Sequence, residues 1–269
     1  MYIKDVKRLL KNYFSGIYEN RYILFSLINV DLQSKYRRSA LGVLWAIITP
    51  LGLSVIIGSV YSIIFGSDPT YFIPMLFAGL NPWIFLSGSA DGGTYSFISA
   101  EGYIKQTTTN IQIFPIRTVT VAFINLLYSV IAFFAIYLFL QPNSFSPIML
   151  MTIPGLIIQY FFAVGLANIT SIINLKIRDF QPFQSLVLQG LFYATPVIFD
   201  SSILDEKGFE LIYKLNPFYY MISVVKMPML GEKLLDPIDY LIAIVLAVVV
   251  FFFGVILIMK NKKTIAYQL

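Results

Sequence analysis

The feature that most constrains this chain is a series of long apolar stretches that carry almost no charge. The first stretch follows three closely spaced cations, Lys35, Arg37 and Arg38, and residues 39–65 contain no charged side chain. Because a helix rises about 1.5 Å per residue, roughly 20 apolar residues are needed to cross the hydrocarbon layer of a membrane. Six stretches reach that length: 40–65, 70–100, 118–140, 148–175, 180–199 and 240–259. The sequence therefore predicts an all-α membrane protein with six transmembrane helices.

The composition is typical of a chain that is solvated mainly by lipid. Hydrophobic residues make up 58% of the sequence and charged residues 12%, and the mean hydropathy is +0.77. A soluble domain of this length needs far more charge on its surface. The net charge of +5 is divided by apolar segments and forms no basic face. We therefore expect contact with a membrane surface and no nucleic-acid partner.

Several kinds of chemistry are excluded by the residue types. The chain has no cysteine and no histidine, which rules out thiolate nucleophiles, the usual zinc sites and a histidine general base. The dipeptide Gly-Lys never occurs, so the chain has no P-loop for ATP phosphates. Asp91 is the only charged residue inside the six stretches, and its position indicates an acid at a helix end. We expect no catalytic residue, no metal site and no cofactor on this chain.

The distribution of cations predicts the orientation in the membrane. If both termini are cytoplasmic, fifteen of the 19 Lys and Arg residues lie on the cytoplasmic side. The other side then holds Lys207, Lys214, Lys226 and Lys233, together with eight of the fourteen acids. This is a strong positive-inside bias. We expect a multi-pass protein of the cytoplasmic membrane with both termini in the cytoplasm.

The first 38 residues have the pattern of an amphipathic helix. Cations lie between apolar residues that share one helical face: Leu9, Leu10, Tyr13, Phe14 and Ile17. Helices of this kind lie in the membrane surface. Residues 1–38 are therefore predicted to form an interfacial N-terminal arm.

A second unusual segment, 200–237, separates the fifth and sixth predicted spans. Its apolar runs are too short to cross the bilayer and predict short re-entrant or interfacial helices on the extracytoplasmic side. Its aromatic residues are predicted to form a belt at the headgroup level: Phe209, Tyr213, Phe218, Tyr219 and Tyr220. With spans one to five in 39–199, and the last span and a cytoplasmic tail in 238–269, we predict a single membrane domain over 1–269.

Four stretches resemble type-2 ABC exporter permeases, especially those that export polysaccharides. "VDLQSKYRRSALGVLWAIITPL" carries the family's Ser-x-Leu-Gly-x-Leu-Trp and Pro-Leu as Ser39, Leu41, Gly42, Leu44, Trp45, Pro50 and Leu51. "LKIRDFQPFQSLVLQGLFYATPVIF" is similar to the Arg-Asp-Phe loop and the following Pro-Val-Ile, here Arg178, Asp179, Phe180, Pro196, Val197 and Ile198. "LNPFYYMISVVKMPMLG" is similar to the Leu-Asn-Pro segment before the last span. "IKQTTTNIQIFPIR" takes the place of the loop that ends in Phe-Pro-Arg, although Ile116 interrupts that ending.

The resemblance covers essentially the whole chain and implies a function. It implies the permease subunit of an ATP-driven exporter that moves a lipid-linked polysaccharide, such as O-antigen, teichoic acid or capsule, through a channel formed by a homodimer. It also implies two copies of a separate ATPase subunit, which hold ATP and Mg, so that this chain is not an enzyme. Two alternatives stay open: the same fold exporting a small lipid or drug, and a polytopic membrane enzyme acting on lipid-linked sugars.

Two groups of residues are candidates for contact with the substrate. Lys35, Arg37 and Arg38 anchor the first span, and they are also placed to meet the substrate's phosphates at the cytoplasmic entrance. In the resembled family the first and fifth spans line the channel, and aromatic rings pack well against the C–H faces of sugars. The implied lining residues are Tyr61, Phe65, Phe192, Tyr193 and Phe199.

The cytoplasmic loops 101–117 and 176–184 are candidates for docking the ATPase. In the resembled family such loops carry short coupling helices, and we expect 102–115 to be the main docking element. The candidate residues are Gly102, Tyr103, Ile104, Lys105, Gln106, Phe114, Pro115, Arg178 and Asp179. For the Arg178-Asp179 pair, an inter-subunit contact, a local ion pair and a helix cap all stay open.

Overall fold

A computed structural model describes residues 3–37, 39–231 and 234–269. All regular structure in these ranges is helical, which confirms the predicted all-α class. The helices are α1 (Ile3–Glu19), α2 (Arg21–Tyr36), α3 (Trp45–Phe65), α4 (Pro69–Tyr95), α5 (Glu101–Gln106), α6 (Ile113–Leu140), α7 (Thr152–Lys176), α8 (Phe180–Ala194), α9 (Ser202–Asp205), α10 (Glu210–Lys214), α11 (Pro217–Leu230) and α12 (Pro237–Gln268). Short 3-10 turns occur at Gly42–Leu44, Pro142–Ser144 and Pro147–Met151.

Five helical segments within the described ranges are long and apolar enough to cross a membrane. They are Gly42–Phe65, Pro69–Tyr95, Ile113–Phe139, Pro147–Lys176 and Pro237–Lys262. The fifth predicted span, 180–199, is not one continuous helix. Its helix α8 has 15 residues, a length of about 22 Å. The count of six spans stays a prediction.

Helix α8 ends early because the residues that follow it are bound to α11. Pro196 disfavours helical geometry in the residue before it, and Thr195 is accordingly extended, with φ −102° and ψ 138°. The side-chain amide of Asn216 donates to Thr195 Oγ1 at 2.7 Å. The ammonium group of Lys226 donates to the carbonyl oxygens of Pro196 at 3.0 Å and Phe199 at 3.4 Å. We call residues 195–199 the strap.

The centre of the bundle is formed by α4 and α7, and α3 lies at its edge. Of the most apolar stretch of each helix, 78% is buried in α4 but only 17% in α3. Helix α11 packs against α4, α7 and α12, and nearly all of its side chains are buried. The aromatic belt predicted for this region is therefore wrong in its main part. Of the five aromatic residues, Phe209 alone is exposed, and the other four are buried in the protein: Tyr213, Phe218, Tyr219 and Tyr220.

One close helix–helix approach in this core joins α7 to α12. A Cβ atom added to Gly165 would lie 2.5 Å from backbone atoms of Val250 and Phe251. A Cβ atom added to Gly254 would lie 2.4 Å from the carbonyl oxygen of Gly165. Small residues of this kind allow two backbones to touch where lipid offers no hydrophobic driving force for association.

The N-terminal arm forms two helices, α1 and α2, that pack on the bundle. Tyr13 is fully buried, and its hydroxyl accepts a hydrogen bond from the Asn168 side chain of α7 at 3.1 Å. Arg117 of α6 forms a two-bond ion pair with Asp31 of α2. Of the predicted apolar face, Leu10 and Ile17 pack on the core, and Phe14 is about half exposed. The placement of the arm in the membrane surface stays a prediction.

Candidate functional site

An open groove of about 690 Å³ runs between α3, α4 and α8, and we call it the α8 groove. One part of its wall is aromatic and contains Trp83, Phe192 and Tyr193. Another part is polar and contains Ser87, Asp91, Ser185 and Gln189. The groove therefore offers flat apolar surfaces and hydrogen-bonding groups within one path along α8.

The aromatic part of the α8 groove is joined to the core through Trp83. Its ring centroid lies 5.3 Å from that of Phe192 and 5.5 Å from that of Phe218 on α11. Phe218 in turn lies 6.0 Å from Phe162 of α7. Packed rings of this kind hold each other in position. Trp83 was not among the predicted lining residues, although it is one of only two tryptophans in the chain.

The predicted channel-lining residues do not all lie together. Phe192 and Tyr193 line the α8 groove. Tyr61 and Phe65 instead pack against each other near the end of α3, with ring centroids 5.9 Å apart, and Phe65 is also 5.9 Å from Phe72. Phe199 belongs to the strap, where its carbonyl oxygen accepts from Lys226. The lining role of all five stays a prediction, and the structure places two of them in one groove.

The polar part of the groove is organised by Asp91, which lies in the last turns of α4. Its Oδ1 accepts hydrogen bonds from Gln184 Nε2 at 3.0 Å and from Ser185 Oγ at 3.1 Å, both on α8. The position near a helix end agrees with the interpretation of the sequence. The contact with α8 could not be read from the sequence, because Gln184 and Ser185 lie more than ninety positions further along the chain.

A second cavity, of about 510 Å³, lies on another side of α3, between α3, α4 and α6. Lys35 lines it, together with the polar residues Asn81, Thr118 and Asn125. Of the three cations predicted to meet phosphate, Lys35 is therefore the one found beside a cavity. Arg37 is exposed at the C-terminal end of α2. Arg38 lies outside the described residues.

The candidate docking loop begins with α5, a single short helix on the predicted cytoplasmic side. Gly102, Lys105 and Gln106 are exposed, Tyr103 is partly buried and Ile104 is buried. Lys105 Nζ donates to Glu101 at 2.6 Å, and this hydrogen bond and the charge of Lys105 lower the pKa of the Glu101 carboxyl. The charge of Arg178 also lowers this pKa, so the loop before α8 lies within electrostatic range of α5.

The second half of the predicted docking loop does not form a loop. Helix α6 begins at Ile113, so Phe114 and Pro115 belong to its first turn, and both are buried. The reason is a contact between two distant parts of the chain. Gln112 is fully buried and donates from Nε2 to the carbonyl oxygen of Tyr13 at 3.2 Å, which draws this segment against α1. In this conformation Phe114 and Pro115 cannot offer their side chains to a docked partner.

The Arg178-Asp179 pair is exposed and makes neither of the local contacts considered. Asp179 occupies the N-cap position of α8 without a side-chain capping bond. Among the residues described here, the ion pairs join Lys105 to Glu101, Arg117 to Asp31 and Lys214 to Glu210. An inter-subunit contact stays a prediction for Arg178 and Asp179.

Lys226 has a structural role that the sequence analysis did not predict. Its assignment to the extracytoplasmic side stays a prediction, and the structure shows that it is 6% exposed and binds the strap. A buried ammonium group is costly unless hydrogen bonds satisfy it, and the carbonyl oxygens of Pro196 and Phe199 supply these. Asp200 adds a favourable electrostatic interaction. A lysine within an otherwise apolar run, "YYMISVVKMPML", is the signal that could have identified it.

Comparison with known proteins gives a consistent set of relatives. Residues 22–230 match the family described as ABC-2 type transporter. The O-antigen export system permease protein RfbA of Klebsiella pneumoniae is 30% identical over 201 residues, which cover 74% of this chain and 77% of the relative. A second protein of that name and organism is 31% identical over the same shares. RfbA of Myxococcus xanthus is 27% identical over 208 residues, covering 77% of this chain and 80% of the relative.

Proposed function

This chain belongs to the ABC-2 type transporter family, and we propose that it is the permease subunit of an ATP-driven exporter of a lipid-linked polysaccharide. Family membership makes it a multi-pass membrane protein that works with an ABC ATPase. The relatives named as O-antigen export permeases support an O-antigen-like polymer, and teichoic acid and capsule are related candidates. The proposed location of the protein is the cytoplasmic membrane, with both termini on the cytoplasmic side.

The observation that carries the proposal is the α8 groove. It runs beside two helices, α3 and α8, that leave large apolar side chains uncovered. Ile56 and Ile63 of α3 and Leu186 and Tyr193 of α8 are each about two-thirds exposed or more. Two copies that face each other along α3 and α8 would turn two open grooves into one enclosed path. The proposed unit is therefore a homodimer.

The chemistry of the two cavities beside α3 suits a lipid-linked glycan. The aromatic wall of the α8 groove offers rings for the C–H faces of sugars. Lys35, at the second cavity, offers a cation for a phosphate that joins glycan and lipid. A polymer with a phosphate at one end and sugars along its length could use both surfaces.

The energy for transport is proposed to come from two ATPase subunits that bind ATP and Mg. The exposed side of α5, formed by Gly102, Lys105 and Gln106, is the proposed docking surface, and Arg178 lies within electrostatic range of Glu101 in the same helix. Motion at this surface could reach the arm because the segment after α5 is bonded to α1 through Gln112 and to α2 through Arg117. Coupling requires such a contiguous connection between two arrangements of the subunit.

An enzyme acting on lipid-linked sugars would need acids that converge at one membrane face, but three of the four acids between residues 200 and 210 have local structural partners. Asp205 accepts from the Tyr213 hydroxyl, Glu210 pairs with Lys214, and Asp200 accepts from the backbone N–H of Ser202 at 2.9 Å. These contacts favour the exporter over the enzyme. Export of a small lipid or drug by the same fold differs only in the substrate, and the experiment below distinguishes it.

The test is to express the tagged chain with a candidate ABC ATPase from the same organism in cells that lack their own polysaccharide exporter. We expect the ATPase to co-purify with the chain, ATP hydrolysis by the complex, and polymer at the cell surface that disappears when either subunit is removed. Glycolipid conversion by the purified chain without a nucleotide-hydrolysing companion would contradict the proposal. Export of small lipids but not of polymer would replace the proposed substrate.

A further inference from the structure

We propose that Asp91 makes this permease selective for neutral, hydroxyl-rich polymer over polymer that carries phosphate along its length. The inference rests on the proposed function, because it takes the α8 groove as part of the polymer's path. It adds a selectivity that neither the fold nor the relatives' names specify, and among the candidate substrates it disfavours teichoic acid, whose repeats are joined by phosphodiesters.

Asp91 is the one charged residue among those described that line the α8 groove. Its polar neighbours Ser87, Ser185 and Gln189 are neutral, and the remaining lining residues are apolar or aromatic. The cation Lys35 lines the other cavity, between α3, α4 and α6. The lining of the α8 groove is therefore net negative.

The carboxylate of Asp91 is held in place by α8. Its Oδ1 accepts from both Gln184 Nε2 and Ser185 Oγ. Two helices therefore fix the direction of the charge, and the groove presents a positioned acceptor to whatever passes. A carboxylate forms strong, short hydrogen bonds with hydroxyl donors. Sugar hydroxyls supply such donors at every repeat of a neutral glycan.

A phosphodiester offers the opposite chemistry. It has no donor for the carboxylate and brings a like charge to it. The largely apolar walls of the groove weaken solvent screening, so the repulsion is stronger than in bulk water. A single phosphate at the lipid end can use Lys35 at the other cavity, but phosphates repeated along the polymer must each pass Asp91. The charge of Asp91 therefore acts against polyphosphate chains and not against one terminal phosphate.

The experiment compares two polymers in cells that express the permease with its ATPase. One polymer is a neutral lipid-linked glycan, and the other is matched in length but carries a phosphodiester in each repeat. For the wild-type chain we expect about tenfold less export of the phosphodiester polymer, a factor that corresponds to a modest charge repulsion. Asp91→Asn keeps an oxygen that can accept from Gln184 and Ser185 but removes the charge. It should bring the two export rates to within about twofold of each other.

Two further variants make the result decisive. Glu206→Gln removes an exposed acid outside the groove and should leave the ratio of the two polymers unchanged. If Asp91→Asn does not accumulate in the membrane, Asp91→Ser provides a smaller uncharged replacement with the same expected ratio. Export is normalised to the amount of tagged permease in the membrane.

The outcomes separate this inference from the proposed function. Equal export of both polymers by the wild-type chain, or an unchanged ratio in both Asp91 variants, overturns the selectivity while the exporter stands. Loss of neutral-polymer export in a stably inserted Asp91→Asn variant also overturns it, because the charge would then be needed for transport itself. Failure of the wild-type complex to export either polymer, despite normal assembly, overturns the proposed function.

Discussion

Replacing Arg117 with alanine should loosen the N-terminal arm from α6. Arg117 and Asp31 form a two-bond ion pair between α6 and α2, and their side chains retain 23% and 30% exposure. A hydrogen bond to a charged group contributes about 1.5–3 kcal/mol. Solvent screening at this partial exposure reduces the sum for the two bonds, and we expect a loss of about 2 kcal/mol. That corresponds to a roughly 30-fold increase in the population with α2 detached.

Hydrogen exchange of the α2 backbone amides in lipid nanodiscs measures this population, since local opening controls exchange in such segments. Arg117→Ala should speed exchange across α2, while helices in the core, such as α7, keep their protection. The matched control is Arg21→Ala, because Arg21 stacks on Tyr18 and Tyr22 within the arm, at 4.2 and 4.4 Å from their ring centres.

The charge-swapped double variant Asp31→Arg with Arg117→Asp tests whether the pair itself is responsible. The swap should recover most of the protection that either single charge reversal removes, because an ion pair of opposite polarity joins the same two helices. Unchanged α2 exchange in Arg117→Ala, or a double variant that exchanges as fast as the single reversals, would refute the reasoning.

Three further predictions follow from the packing. Gly165→Ala should destabilise the fold by about 1–3 kcal/mol, because the added Cβ meets the α12 backbone. Gly190→Ala on α8 is the control: its Cβ meets nothing within 4 Å, and the helix should become more stable by up to about 1 kcal/mol. Thermal unfolding in detergent ranks the two variants, and equal stability would contradict the close approach of α7 to α12. Lys226→Met should release the strap. A cysteine introduced in place of the fully buried Val197 would be the only cysteine in the chain, and it should then become accessible to a maleimide reagent. If the cysteine stays protected from the reagent, Lys226 does not hold the strap. Lys105→Glu should reduce the ATPase recovered with the permease without lowering its amount in the membrane, and undiminished recovery would move the docking surface elsewhere.

Much of the architecture can be predicted from composition and run length. The spans that became α3, α4, α6, α7 and α12 could be located because each supplies about 20 or more apolar residues with almost no charge. Helical structure in the arm could be expected from its mixture of cations and apolar residues, while its placement in the membrane surface stays a prediction. The short helices α9, α10 and α11 could be expected because the runs between 200 and 237 are too short to cross.

The candidate sites were less predictable, because their residues meet only in the folded chain. Phe114 and Pro115 were assigned to a docking loop, yet the Gln112 contact with α1 buries them. Phe192 and Tyr193 could be proposed as lining residues from their span, whereas their neighbour Trp83 depends on the packing of α4 against α8. Lys226 could be identified as unusual within an apolar run, but its partners are carbonyl groups thirty and twenty-seven residues away.

The sequence by itself determined that this chain is helical, that it is solvated by lipid and that it carries no visible catalytic chemistry, because apolar run length and residue type are local properties. The tertiary structure decided where α8 ends, that α11 is buried and that Asp91 is held by α8. The physical reason is that the protein interior and the lipid are about equally apolar. Hydropathy therefore marks a segment for either environment, and only packing and hydrogen bonds between distant residues determine which one it enters.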